Sequence, residues 1–257
     1  MESLDDPGRV EELQRVILGK PGLWRLYNEV YQSFLDCLRR CPPQGAVIEL
    51  GSGAGFAKRV IPELITSDIL PYRGLDQVFD ACNMPFTDNS LRLITMWNTF
   101  HHIPDAAAFL SEAQRCLMPG GRVCIVDPHP GWISSPIYRF LHHEPFDPDA
   151  PEWQFETTGP LSGANGALAW IVFVRDRAKF ARLFPALSLV QYQPTMPLRY
   201  WLAGGLKKWS LLPAWGWRVA TLMDQCLMRC SRQFGSFVYV ELVKDAEQYR
   251  RSVLISP

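Results

Sequence analysis

The sequence predicts an α/β fold built on a mainly parallel sheet, and three observations carry that expectation. Between residues 46 and 128, short apolar runs alternate with helical patterns, the rhythm of strand–crossover–strand units. One run, Ala46-Val-Ile-Glu-Leu50, opens directly into Gly51-Ser-Gly-Ala-Gly55, where glycine lets the backbone turn tightly and pass close to a ligand. Near the end, 235–244 (GSFVYVELVK) shows the apolar–polar alternation of a closing strand.

The elements follow in order. Residues 11–40 read as helical, interrupted at Gly19-Lys20-Pro21-Gly22, and Leu23, Leu26, Tyr27, Val30, Tyr31 and Phe34 mark one apolar face. Pro42 and Pro43 end that stretch. Strand 46–50 is followed by the glycine turn and a helix expected over 56–64. Strands are expected at 65–69, 77–80 and 91–96. A helix over 106–117 is stopped by Met118-Pro-Gly-Gly121, and 122–127 is the next strand. After Pro128 the rhythm breaks. Residues 129–165 are rich in Pro, Trp and His. Residues 167–174 suit a strand or a buried helix, 176–184 a helix, and 187–193 a strand; 196–234 is Trp-rich and partly helical. The chain therefore divides into an N-terminal helical lid (1–43), a ligand-binding core (44–128), a cap or insertion with a return strand (129–234), and a last strand with a tail (235–257), all within one domain.

Composition sets bounds. With 26 basic and 26 acidic residues the formal net charge is zero, which argues against a nucleic-acid binder. At 47% hydrophobic the chain can bury a core. The opening MESLDDPGRVEELQ is acidic and polar, so no secretory signal is expected. The odd count of 7 cysteines favours free thiols in a reducing cytoplasm. Cys37/Cys41 and Cys226/Cys230 are one helical turn apart and match no zinc pattern, and no metal site is expected from them. No apolar run approaches a membrane span.

The glycine turn carries the most chemistry. Its glycines stand at 51, 53 and 55; a dinucleotide fingerprint would need one at 56, which is Phe56. Glu49, two residues before the first glycine, suits a ligand with a cationic amine rather than a pyrophosphate. The same glycines also suit an ordinary tight turn. Three further segments decide between these. They are Asp80-Ala-Cys-Asn-Met-Pro-Phe-Thr-Asp-Asn-Ser90, Asn98-Thr-Phe-His-His-Ile-Pro-Asp105 and Leu117-Met-Pro-Gly-Gly-Arg122. Together with Glu49-Leu-Gly-Ser-Gly-Ala-Gly55 they resemble, in order, four motifs of the class I S-adenosylmethionine-dependent methyltransferases, in the style of the small-molecule enzymes.

The resemblance implies a Rossmann-like, seven-stranded sheet with one reversed strand, 235–244, plus an inserted cap. It implies S-adenosylmethionine as cofactor. Glu49, Gly51, Ser52 and Gly53 would hold the methionine end, and Asp68 the ribose. Asp80 and Ala81 would meet the adenine, and Asn98 would lie beside the methyl donor. Only eleven residues separate Asp68 from Asp80, too few for the usual helix there, so Asp76 competes with Asp68 at the ribose. Tyr27 and Tyr31, one helical turn apart, suit either closure over the cofactor or core packing. No DNA-methyltransferase motif is present.

All 5 histidines lie between 101 and 143. Methyl transfer is an in-line displacement that chiefly needs a positioned acceptor, and an alcohol also benefits from a base. His101 or His102 is the expected base, with Asp127 at the end of the fifth expected strand orienting its ring. His142, His143 and Glu144 could form a second cluster, but no second carboxylate accompanies them, so no metal is expected there either. The expected reaction is O-methylation of a sugar, glycolipid or similar polar metabolite. N- or C-methylation, or a non-catalytic cofactor-binding module, are the alternatives.

Charge is uneven along the chain. Residues 44–128 hold 6 basic and 9 acidic residues, net −3, and 196–234 hold 6 basic and 1 acidic, net +5. The second segment also carries Trp201, Trp209, Trp215 and Trp217. It suits a packed cap, a substrate lining or a peripheral membrane contact. The expected partner is a small-molecule acceptor.

Overall fold

The computed structural model describes residues 8–142, 144–159 and 162–245. The first residues of the expected lid (1–7), His143 and the tail (246–257) lie outside these.

Two helices open the chain. Helix α1 spans Arg9–Gly19 and α2 spans Pro21–Leu38. Lys20 between them is extended, and Pro21 begins α2 where its missing N–H costs nothing. The strands are β1 (Ala46–Leu50), β2 (Ile65–Asp68), β3 (Gln77–Val78) and β4 (Leu91–Trp97). Helix α3 (Ala106–Cys116) begins at Asp105, whose carboxylate accepts the Ala108 N–H at 2.9 Å. It leads into β5 (Leu117–Pro128). Helix α4 (Ser134–Phe140) follows, then α5 (Leu168–Trp170), which widens into a π-type turn over Ile171–Arg175, and α6 (Arg177–Leu183). Strand β6 (Leu187–Thr195), the short helix α7 (Arg199–Leu202), the longer α8 (Trp217–Cys230) and β7 (Phe237–Lys244) complete the order.

The seven strands form one sheet in the order β3-β2-β1-β4-β5-β7-β6. The first five pair parallel, and β7 runs antiparallel to both β5 and β6. The reversed strand is therefore the one the resemblance implies. Both faces of the sheet are covered. Val123 and Ile125 join one core with Phe109, Phe173 and Phe180, while Cys124 and Val126 join the other with Leu26, Tyr31 and Phe34. This is why β4 and β5 read as nearly continuous apolar runs.

Two local expectations change. The helix over 56–64 is replaced by a single turn, Ala57–Arg59. Pro62 explains the loss, because it has no N–H to donate and its ring would clash with the carbonyl four residues back. The Arg59 guanidinium instead lies 4.9 Å from the Phe56 ring and 5.4 Å from that of Trp24. Residues 167–174, open between strand and helix, are helical.

Within 129–234, α5, α6 and β6 belong to the sheet and its core, so two separate excursions remain, 129–166 and 196–236. The second is fastened to the N-terminal helices. Lys20 Nζ, buried, donates to the carbonyls of Ala203 (3.1 Å) and Gly205 (2.8 Å). Arg199 bridges Asp224 at 2.8 Å and Glu29 of α2 at 2.7 Å. Trp217 is buried and Trp201 Nε1 donates to Ser236 Oγ at 2.9 Å, whereas Trp209 and Trp215 are exposed. Among the described residues no helix is long and apolar enough to cross a membrane.

Candidate functional site

Strand order reverses between β1 and β4, and open α/β sheets bind ligands at the carboxyl ends of the strands beside such a reversal. A cavity lies there. It is lined by the glycine turn, the ends of β2 and β4, Tyr27 and Tyr31 of α2, Leu13 and Ile17 of α1, and Leu206 of the second excursion.

The turn is stitched from several sides. Ser52 N–H donates to the Ser67 carbonyl at 2.8 Å, and Ser67 Oγ donates to the Glu49 carbonyl at 2.7 Å. Gly53 N–H donates to Asp68 Oδ2 at 2.9 Å, and Phe56 N–H to Tyr31 Oη at 3.0 Å. Gly51 has φ +65°, and a Cβ there would collide with Thr99 Oγ1, so only glycine fits.

Glu49 is buried, and its Oε2 has no hydrogen-bond partner. Burial, helped by nearby Asp68, pushes its carboxyl up to about 7. Burial also raises Asp68, against the pull of the Leu70 and Gly53 amides. Asp80 and Ala81 line the same cavity. Asn98 also lines it, at φ +51°, a conformation asparagine tolerates, with Oδ1 buried and unpartnered. Every residue expected at the cofactor is thus brought to one cavity.

The competitor Asp76 is not there. It is exposed and tied to Lys58 Nζ at 2.6 Å and to the Thr66 N–H at 2.8 Å. What burial it has would raise its carboxyl, but these partners outweigh that and hold it below the ordinary value. Trp97, which belongs to none of the four motifs, also lines the cavity. It stacks on Tyr27 with ring centroids 4.2 Å apart, and its Nε1 is buried without a partner. Its position at the end of β4, next to Asn98, was the available signal.

The histidines separate. His101 and Asp127 meet as the sequence suggests, with Nδ1 2.9 Å from Oδ1, and both are buried. His101 does not line the cavity; His102 does. His102 Nδ1 lies 3.1 Å from the Gly163 carbonyl, which can only accept, so that nitrogen carries the proton. Glu144 arrives from the first excursion. Its Oε2 is 3.4 Å from His101 Nε2 and its Oε1 is 3.6 Å from His102 Nε2. Burial alone would lower His101, but Asp127 and Glu144 outweigh it and raise the imidazole to about 10. Burial would raise Glu144, but the two imidazoles hold it well below the ordinary carboxylate range. Asp127 Oδ2 is buried and unpartnered. Glu144 therefore serves the histidine pair, not only His142 beside it. His129 points elsewhere, its Nδ1 2.9 Å from Tyr192 Oη, and burial lowers it to about 4.

Comparison with known proteins adds the following. A family described as a methyltransferase domain matches residues 62–125. The ubiquinone/menaquinone biosynthesis C-methyltransferase of Desulfotalea psychrophila is 26% identical over 155 residues, 52% of this chain and 59% of that protein. The chloroplastic tocopherol O-methyltransferase of Arabidopsis thaliana is 36% identical over 64 residues, 25% of this chain and 18% of that one. The chain thus spans less than two thirds of the length of either relative. Among solved structures, geranyl diphosphate C-methyltransferase from Streptomyces coelicolor, in complex with Mg2+, geranyl diphosphate and S-adenosyl-L-homocysteine, superposes with a TM-score of 0.51 at 18% identity, covering 91% of this chain and 82% of that one. Phosphoethanolamine N-methyltransferase 2 from Haemonchus contortus, with S-adenosyl-L-methionine, gives 0.51 at 13% identity, covering 93% and 57%. At these identities the two structures speak for the fold.

Proposed function

We propose that this chain, which has the fold of the class I S-adenosylmethionine-dependent methyltransferases, transfers a methyl group from S-adenosylmethionine to a small, largely apolar acceptor. The carrying observation is the cavity at the β1/β4 reversal. It is lined by Glu49, whose Oε2 is unpartnered, by buried Asp68 and by the Asp80–Ala81 pair. These suit, in that order, an ammonium group, a ribose and an adenine. When bound, the cofactor supplies an electrophilic methyl on a sulfonium that leaves as a neutral thioether. Glu49 accepts from the amine, Asp68 from the ribose hydroxyls, and Gly53 leaves space for close approach. Tyr27 and Trp97 exclude water from the reacting end.

The apolar part of the lining supports the acceptor class. Leu13, Ile17, Ile103, Pro104 and Leu206 face the cavity, so a ring or chain of hydrocarbon character is favoured. The relatives named for quinones and tocopherol fit the same reading. An oxygen acceptor is supported by His102 at the cavity, with His101 and Asp127 positioning it from behind and Glu144 beside both rings. This differs in emphasis from a sugar, which would find no hydrogen-bonding side chain in these five residues. Exposed Trp209, Leu211 and Trp215, close in sequence to Lys207 and Arg218, support a peripheral membrane contact where a lipophilic acceptor would be met. The seven unpaired cysteines support a reducing, cytoplasmic setting.

The test has two stages. Saturating S-adenosylhomocysteine should raise the melting temperature; no rise would remove the reading, because a ligand of the native state must stabilise it. S-adenosylhomocysteine release is then measured with phenols, quinols and sugars. Release with phenols or quinols supports the acceptor class, and release with sugars alone overturns it. Binding without release from any of them would favour a non-catalytic module.

A further inference from the structure

We infer that His101, His102 and Glu144 form a binding site for one first-row divalent cation, and, resting on the methyl-transfer reading, that this cation holds the acceptor oxygen.

The donor atoms are arranged for a shared ion. Glu144 offers its two oxygens to two imidazoles, 3.4 Å from His101 Nε2 and 3.6 Å from His102 Nε2. The three ligand atoms lie within 4.8 Å of one another. Charge-assisted hydrogen bonds are shorter, about 2.7–2.9 Å. Two ligands of one ion, each bonded at about 2.0–2.1 Å, stand roughly 3.0–3.4 Å apart. The 3.4 Å separation matches that spacing and the 3.6 Å one lies just beyond it, so both pairs stand nearer to shared ligands than to direct bonds.

A second, independent observation is what lies behind the rings. A metal-bound imidazole normally gives its other N–H to a carboxylate or a backbone carbonyl, which fixes tautomer and orientation. Both rings do so. His101 Nδ1 faces Asp127 Oδ1 at 2.9 Å and His102 Nδ1 faces the Gly163 carbonyl at 3.1 Å. In both rings Nε2 is left toward Glu144. His142 Nδ1, 3.5 Å from Glu144 Oε2, flanks the carboxylate from the other side. The sequence alone set a metal aside because no second clustered carboxylate accompanies His142, His143 and Glu144; the fold instead brings Glu144 to a different histidine pair and keeps Asp127 behind it.

Chemistry selects the ion. Two imidazoles and one carboxylate favour Zn2+, Fe2+ or Co2+ over Mg2+ and Ca2+, which prefer all-oxygen sites. Of the three ligands only His102 lines the cavity, so the acceptor would reach the ion past its ring. A hydroxyl bound at one would lose its proton more easily. The proton leaves to solvent, the oxygen bonds the methyl carbon, and the carbon–sulfur bond breaks to give the thioether.

The test titrates tag-free, EDTA-stripped full-length protein with Co2+, followed by visible d–d absorption and calorimetry, with circular dichroism to monitor the fold. Saturation at about one Co2+ per chain, displacement by Zn2+ and no uptake of Mg2+ are expected. Glu144→Gln and His102→Ala should each weaken Co2+ binding at least about tenfold, and Asp127→Asn about 10–100-fold. No saturable uptake, or unchanged uptake in folded Glu144→Gln and His102→Ala, would overturn the site. Melting with S-adenosylhomocysteine is run in parallel. Stabilisation without Co2+ uptake removes the metal and leaves methyl transfer standing. Co2+ uptake without stabilisation supports the site and removes the role in transfer.

Discussion

Tyr31 of α2 accepts the Phe56 N–H at 3.0 Å and so closes the glycine turn from a helix twenty-five positions earlier in the chain. In this fold the turn would ordinarily run into a helix. Here Pro62 limits that helix to one turn, and the tyrosine hydroxyl takes over one of the unpaired donors.

Tyr31→Phe should therefore destabilise the protein although the ring keeps its packing against Trp97 and Phe34. Leaving the Phe56 N–H without its partner costs about 1–3 kcal/mol, readable by urea denaturation. S-adenosylhomocysteine affinity should fall with it. Wild-type stability would mean that water replaces the hydroxyl at no cost.

Glu49 gives a pH dependence whose sign is fixed. Its carboxyl ionises at about 7 in the fold, against 4.5 ordinarily. Between those values the folded chain keeps a proton that the unfolded chain has lost, so stability falls as pH rises through this window, and the loss is complete above it. Affinity for a cationic amine runs the other way. S-adenosylhomocysteine should bind about tenfold tighter at pH 8 than at pH 6. Glu49→Gln should flatten that profile, weaken binding, and raise the melting temperature of the ligand-free protein at pH 8. A profile that keeps its slope in Glu49→Gln would assign it to another group.

Two neighbouring glycines should fail differently. Gly51→Ala drives a methyl into Thr99 Oγ1 at φ +65°, so the fold itself should suffer, with a melting temperature lower by several degrees. Gly53 has φ +42°, and the nearest heavy atoms stand 3.9 Å from where a methyl would sit, so Gly53→Ala should cost only about 1 kcal/mol. Gly53 lines the cavity, so ligand affinity should fall out of proportion to stability. Parallel losses of stability and affinity in both variants would refute the distinction.

Asp68→Asn and Asp76→Asn separate the two ribose candidates. Asp68→Asn should weaken S-adenosylhomocysteine about 10–100-fold, the worth of hydrogen bonds to a charged acceptor. Asp76→Asn should stay within about twofold of wild type, because its carboxylate is engaged by Lys58 and Thr66 outside the cavity. Calorimetric titration of both variants decides it, and the reverse ranking would reassign the ribose.

What could be read from the sequence was what neighbours in the chain determine. Glu49, Gly51 and Gly53 follow from the strand end and its turn, which a few adjacent residues set, and Asp80 and Asn98 from the resemblance of their segments to methyltransferase motifs. Pro62 was equally visible, and its ring is what shortens the expected helix to one turn. Glu144 was not legible as a partner of His101. It comes from an irregular loop with no periodicity, and its contact depends on how the first excursion folds back through Asn165, whose N–H donates to the His101 carbonyl at 2.9 Å. Leu206 was hidden for a similar reason, since nothing in a leucine marks it as lining a cavity rather than filling a core.

Arg199 joins Asp224 to Glu29, and Lys20 donates to two carbonyls of the second excursion. The helices beside the cofactor wall and the segment bearing Leu206 are thus clasped into one body. Parts joined in this way yield together or not at all. On the methyl-transfer reading, entry of fresh methyl donor, departure of its spent form and escape of the methylated product would all depend on how far that body gives, so a change at this clasp would be felt in the order and pace of turnover before it was felt in the chemistry.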